Sequence, residues 1–192
     1  NKKTQTIYRN GLKNGKHISW SSDGVKVSEY SFQSGEKDGS YKKWHKTGRK
    51  KSSGAFLKGN EEGKFIEWYE NGEKYREQNY IEGKRHGLKF SWYDTGAKKE
   101  QQYFTRDLIN GVHLQWYENG QKKLEGNYIN GKYDGVWTQW FEDGQKFIQG
   151  KYNEDMLDGI WAQWYKNGNK FSKGFYEDSK QIKSWVFFSP DG

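Results

Sequence analysis

The chain has 192 residues, 31% hydrophobic and 18% aromatic, with mean hydropathy -1.29 and a formal net charge of +8. Phe, Tyr and Trp make up more than half of the apolar content, which argues against a core of packed aliphatic side chains; the 10 Trp, 14 Tyr and 11 Phe equally exclude a disordered, aromatic-poor chain. The absence of Cys rules out a disulfide framework and a thiolate metal site, and no run reaches the roughly 18 to 20 apolar residues of a membrane-spanning helix. The sequence opens at Asn1 in mid-pattern, so a removed leader or other flanking sequence is expected before it.

From Asn1 onwards the sequence falls into eight rows of 24 residues without insertion or deletion. Gly24, Gly48, Gly72, Gly96, Gly120, Gly144, Gly168 and Gly192 close the rows. Trp20, Trp44, Trp68, Trp92, Trp116, Trp140 and Trp164, followed by Phe188, form a second column, and Gly15, Gly39, Gly63, Gly87, Gly111, Gly135 and Gly159, followed by Lys183, a third. An aromatic column runs from Tyr8 through Phe32, Phe56, Tyr80, Phe104, Tyr128 and Tyr152 to Tyr176, and a lysine column from Lys2 to Lys170.

Asn-Gly at 71–72, 119–120 and 167–168, and Asp-Gly at 23–24, 143–144 and 191–192, supply the two left-handed residues of a type I′ turn. Each row therefore reads as a β-hairpin, with arms at about 111–118 and 121–128 in the clearest case and a looser six-residue connection from Tyr128 to Gly135. Two-residue turns fix register: Trp116 is expected opposite Lys123, Gly111 opposite Tyr128, Trp137 opposite Gly150 and Trp161 opposite Gly174. The rings of Tyr128, Tyr152, Trp137 and Trp161 are then expected to lie over the bare glycine backbones that face them. The ten tryptophans occupy two columns three residues apart, so alternation puts aromatics on both faces. The fold class is all-β: an open-ended array of eight 24-residue hairpin units forming one long twisted antiparallel sheet, read as a single domain over 1–192 with atypical first and last units. Sixteen strands at about 4.8 Å would extend about 75 Å.

The rows W-Y-E-N-G-Q-K-K-L-E-G-N-Y-I-N-G at 116–131 and W-F-E-D-G-Q-K-F-I-Q-G-K-Y at 140–152 resemble the bacterial variant of the MORN (membrane occupation and recognition nexus) repeat. The resemblance covers the whole chain and is cleanest over 54–174; the sequence departs from it at Ser21, Ser22, Lys183, Phe188 and Pro190. It implies a single antiparallel sheet of successive hairpins used as a scaffold or binding surface. Relatives include exported 24-residue-repeat proteins and YwqK-type antitoxins that act by binding a partner toxin. A bacterial protein, exported or at the cell surface, or cytoplasmic if antitoxin-like, is what the resemblance implies.

No catalytic constellation can be assembled from the sequence. His17, His45, His86 and His113 occupy three columns and no pair has metal-ligand spacing. Glu61, Glu62, Glu67, Glu70 and Glu73 read as solvated turn and strand-edge acids rather than an acid–base pair. The expectation is a non-enzyme that uses no cofactor and no metal. Charge is uneven: residues 1–96 hold 20 Lys and Arg against 12 Asp and Glu, a net of +8, and residues 97–192 hold 13 against 13. Lys42, Lys43, Lys46, Arg49, Lys50, Lys51 and Lys58 form the densest basic stretch, a candidate patch for phosphate, anionic lipid or an acidic protein. Each column lysine is expected over a neighbouring ring, Lys122 over Tyr117. The leading expectation is a binding protein that engages another protein, a toxin or cell-surface partner, through an aromatic and polar sheet surface, with self-association through its end strands. The alternatives are a carbohydrate or cell-wall binding module, and attachment of the basic first half to anionic lipid or nucleic acid.

Overall fold

The computed structural model describes residues 3–191, so Lys2 and Gly192, the ends of two columns, lie outside the described residues. The chain divides into two compact units, 1–96 and 97–192. In the first unit, β1 (Thr4–Arg9), β2 (Leu12–Trp20), β3 (Lys26–Gln33), β4 (Glu36–Trp44), β5 (Lys50–Leu57), β6 (Asn60–Trp68), β7 (Lys74–Ile81) and β8 (Lys84–Trp92) pair antiparallel in sequence order. In the second, β9 (Lys98–Thr105) pairs with β10 (Leu108–Ile109) and β11 (Gly111–Trp116). β12 (Lys122–Ile129), β13 (Lys132–Trp140), β14 (Lys146–Asn153), β15 (Met156–Trp164) and β16 (Lys170–Glu177) follow in order, and the short β17 (Lys180–Gln181) and β18 (Val186–Phe187) both pair with β16. The fold is all-β and antiparallel, built of hairpins at the 24-residue period.

The turns exchange the roles the sequence suggested. At Asn119-Gly120 only Gly120 is left-handed (φ 85°), so this is not a type I′ turn. The Gly120 N–H donates to the Tyr117 carbonyl (3.0 Å) and the Tyr117 N–H to the Gln121 carbonyl (2.8 Å), closing a four-residue turn. A bulge follows, so Trp116 pairs with Lys122 rather than Lys123 while Gly111 still pairs with Tyr128. The type I′ turns are at the other connection, where both central residues have positive φ: Asn10-Gly11, Ser34-Gly35, Lys58-Gly59, Glu82-Gly83, Arg106-Asp107, Asn130-Gly131, Glu154-Asp155 and Asp178-Ser179. The supposed six-residue link from Tyr128 to Gly135 is thus a tight hairpin with Ile129 opposite Lys132.

The glycine column has a backbone role. Gly135 pairs with Tyr152 on one side, but towards β12 the register jumps from Glu125↔Thr138 to Asn127↔Asp134, leaving Gly126 opposite a bulge that contains Gly135 (φ 73°). The same column carries positive φ from Gly15 (104°) to Gly159 (73°). Where Lys183 replaces this glycine, the strand is broken into β17 and β18, as expected of a residue that enters the left-handed region at a cost.

Successive repeats are joined at their turns. The Tyr69, Tyr117 and Tyr165 hydroxyls donate to the carbonyls of Trp92, Trp140 and Phe188, each 23 residues on, and His45 Nε2 does the same for Trp68. Asn71, Asn119 and Asn167 side-chain amides donate to the carbonyls of Asp94, Glu142 and Pro190.

Lys58 stands at the first left-handed position of its turn (φ 47°), where Asn is tolerated better. Lys58→Asn should raise stability by about 0.5 to 1 kcal/mol, read as a higher midpoint in thermal denaturation; a lower midpoint would contradict the turn assignment.

Candidate functional site

Strand alternation collects the rings of the aromatic column and of the column that holds Tyr41, Phe65, Trp137 and Trp161 on one face, called the front. In the first unit they form a continuous ladder: Tyr30–Tyr41 at 5.0 Å, Tyr41–Phe56 at 5.6 Å, Phe56–Phe65 at 5.7 Å and Phe65–Tyr80 at 5.1 Å between ring centroids. They line a shallow trough of about 230 Å³ whose polar walls include Lys37, Lys43, Glu61, Glu67 and Arg76. The Lys37 ammonium lies 4.8 Å from the Tyr30 ring and 4.9 Å from the Phe56 ring, and Lys43 lies 5.7 Å from Tyr41. Arg76 Nε pairs with Glu67 at 2.9 Å. Gln78, 2% exposed, lines the same trough; its Nε2 donates to the Asn79 carbonyl and its Oε1 has no hydrogen-bond partner among the described residues.

The second unit has its own front trough, about 330 Å³, lined by Tyr128, Tyr133, Trp137, Tyr152 and Trp161 together with Leu124 and Ile148. Tyr133 contacts Trp137 at 4.5 Å and Tyr128 at 4.8 Å. Burial, with the Tyr133 hydroxyl adding to it, pushes the Tyr128 phenol well above its ordinary pKa. His113, 6% exposed, places Nε2 3.0 Å from Glu100 at one end of this trough. It is the more apolar of the two: no Lys or Arg is among its lining residues to match Lys37, Lys43 and Arg76.

The rings lie over glycine, but not the glycine that faces them. Trp137 and Trp161 pair with Gly150 and Gly174, as the register count requires. Their rings instead lean back onto the preceding strand, where a Cβ at Gly126 or Gly150 would fall inside the Trp137 or Trp161 ring; Trp185 covers Gly174 and Phe65 covers Gly54 in the same way. The Trp137 Nε1 donates to the Asn127 carbonyl (3.1 Å), fixing the tilt. Tyr128 and Tyr152 do not cover Gly111 and Gly135, since a Cβ on either glycine would meet nothing within 4 Å. The sequence does carry this signal: the residue eleven before each of Phe65, Trp137, Trp161 and Trp185 is glycine, whereas Tyr41 and His113 have Tyr30 and Gln102 there.

The column lysines also reach further than expected. Lys26, Lys50, Lys74, Lys98, Lys122 and Lys146 lie over Trp44, Trp68, Trp92, Trp116, Trp140 and Trp164, the tryptophan of the next repeat, at 4.9 to 5.6 Å. Lys122 is thus over Trp140; it is Lys123 that covers Tyr117 (5.4 Å). On the back face of the first unit, Lys16 (3.0 Å) and Lys26 (2.8 Å) clasp the nearly buried Glu29, and their hydrogen bonds hold its carboxyl below the usual range. Glu77 repeats the arrangement: burial raises its pKa, and the Lys64 and Lys74 hydrogen bonds outweigh that.

The basic stretch is not one patch. Lys43 faces the front trough, while Lys42, the next residue on β4, pairs with Glu29 and Ser53 and points to the back. Lys46, Arg49, Lys50 and Lys51 gather at the turn joining β4 to β5, where Arg49 donates to the Glu70 and Asn71 carbonyls (3.1 Å each) and Lys50 covers Trp68. Lys58 sits at the far end of β5. Alternation and strand length disperse what the sequence lists together.

Hairpins bounded by type I′ turns, each holding a four-residue turn and a left-handed glycine, are the repeating unit. Four of them match the MORN repeat variant. The matched stretches are residues 61–82, 109–130, 133–154 and 157–178, and each starts two residues before Gly63, Gly111, Gly135 or Gly159 and ends on the first residue of a type I′ turn. MORN repeats are generally non-catalytic modules. No curated protein matches the chain.

Gly126→Ala should destabilise the second unit by about 2 to 3 kcal/mol, because the Trp137 ring has no room for a methyl group; a neutral effect on thermal denaturation would mean the ring is free to move away. For Glu29, the lowered folded-state pKa makes its contribution present above about pH 4.5 and lost as pH falls through the lower folded value. Glu29→Gln should therefore cost about 1 to 2 kcal/mol at neutral pH, with the gap from the unsubstituted protein closing below about pH 4.5 in a pH series of denaturant titrations.

Proposed function

We propose that this protein is a non-catalytic interaction module that holds another protein against the front face of its sheet. The observation that supports this reading is the pair of half-buried aromatic troughs, each walled by hydrogen-bonding side chains and covered by no other layer of its own unit. Rings held by their neighbours offer large contact area at little ordering cost, and Tyr and Trp are the residue types that dominate interface energetics. The match to MORN repeats, generally non-catalytic modules, is in keeping with it. Capture of a toxin, as in the antitoxin-like relatives, would be one instance of this activity.

A second reading, a carbohydrate-binding module, draws on the same partly exposed rings, since a sugar stacks on an aromatic face. The two separate in one experiment. Capture of a protein from source-cell extract should be lost with Tyr133→Ser or Lys43→Glu on the front and kept with Val136→Ser or Lys42→Glu on the back, each checked for folding by circular dichroism. Loss with the back-face variants alone would sink the front-face assignment, and retention of purified polysaccharide in place of protein would establish the second reading.

A further inference from the structure

We infer that the front trough of the first unit receives an acidic segment of the partner protein in the polyproline II conformation, laid across the strands. This rests on the front face being the binding surface, and it names the ligand conformation and charge.

The argument starts from spacing. Among the rings that line the trough, Phe56 and Tyr80 occupy equivalent positions on β5 and β7, and Tyr41 and Phe65 on β4 and β6, with Tyr30 at its β3 end. Equivalent rings therefore recur every second strand, about 9.6 Å apart along the trough. Polyproline II has three residues per turn and rises about 3.1 Å per residue, so it presents the same side every 9.3 Å or so. An extended strand repeats at about 6.7 Å and an α-helix turn at about 5.4 Å, and neither keeps step with the rungs. From β3 to β7 the trough spans about 19 Å, the length of about six polyproline II residues.

Chemistry agrees with spacing. A polyproline II segment has no internal hydrogen bonds, so its carbonyls need donors, and its ring-bearing ridges pack between aromatic side chains. The trough interleaves the two: Tyr30, Tyr41, Tyr80, Lys37 and Lys43 are donors, set among Phe56 and Phe65. Charge selects among such segments. Glu67 is paired with Arg76, while Lys37 and Lys43 hold no carboxylate among the described residues and lie above rings. The unit that carries them has the whole +8 excess, 20 Lys and Arg against 12 Asp and Glu. Carboxylates on the segment would complete these cations at the β4 end of the trough.

The test is fluorescence anisotropy with the full chain and labelled synthetic peptides. A peptide of Pro-Pro-Glu triplets should bind about tenfold or more tightly than a Gly-Ser-Glu peptide of equal length and charge, because it does not have to be ordered on binding. The double variant Lys37→Gln/Lys43→Gln should lose about tenfold of that affinity, whereas Lys42→Gln/Lys46→Gln, with the same charge change outside the trough, should stay within about twofold. Equal affinity for the two peptides overturns the conformational assignment, and equal losses in the two lysine pairs overturn the site. If neither peptide binds while front-face substitutions still abolish partner capture, this inference falls and the binding-face reading stands.

Discussion

A ring laid over a bare glycine one strand back is the contact on which each unit depends. A sheet with no second layer has nothing opposite its faces to bury against, so its large side chains must find cover sideways, on the backbone and rings of neighbouring strands. Phe65 over Gly54, Trp137 over Gly126 and Trp161 over Gly150 do this, and the buried Trp137 shows how complete the cover is. The ring heights that follow from this lean set the depth of the troughs. Where the glycine is replaced by Tyr30 or Gln78, these side chains line the trough of the first unit and bring polar atoms into it. The troughs are thus a by-product of how a thin sheet buries its aromatics.

The period, the strands and the hairpins are legible in the sequence because glycine, tryptophan and aromatic columns recur at one spacing. The turn types are less so. Asn119-Gly120 carries the strongest hairpin signal, yet the Asn119 side chain is committed elsewhere: its Oδ1 accepts from the Gln121 N–H and its amide reaches the Glu142 carbonyl in the next repeat. That second contact lies outside any window that shows a single hairpin. The type I′ turns are plain at Asn10-Gly11 and Asn130-Gly131 and hidden at Arg106-Asp107 and Glu154-Asp155, where no glycine marks the left-handed pair.

The site was legible in its residue types and not in its assembly. That each column lysine would cover a ring follows from the pattern, but Lys122 meets Trp140 and not Tyr117 because the lean of the side chains spans repeats. The basic stretch reads as one feature only while sequence order is taken for proximity; Lys42 and Lys43, adjacent in the chain, serve opposite faces. The front trough of the first unit draws its cations from Lys43, inside that stretch, and from Lys37 and Arg76, outside it.

The turn ladder, in which His45, Tyr69, Tyr117 and Tyr165 bond to carbonyls 23 residues on, ties repeats within a unit to their successors at a fixed offset. A deletion or duplication of 24 codons within the regular rows rejoins each strand and turn to neighbours of the same register, and an indel of another length leaves the ladder out of step. The gene can therefore lengthen or shorten the array in whole repeats while each remaining hairpin keeps its neighbours, so that reach along a partner becomes a heritable variable separate from the chemistry of any single rung.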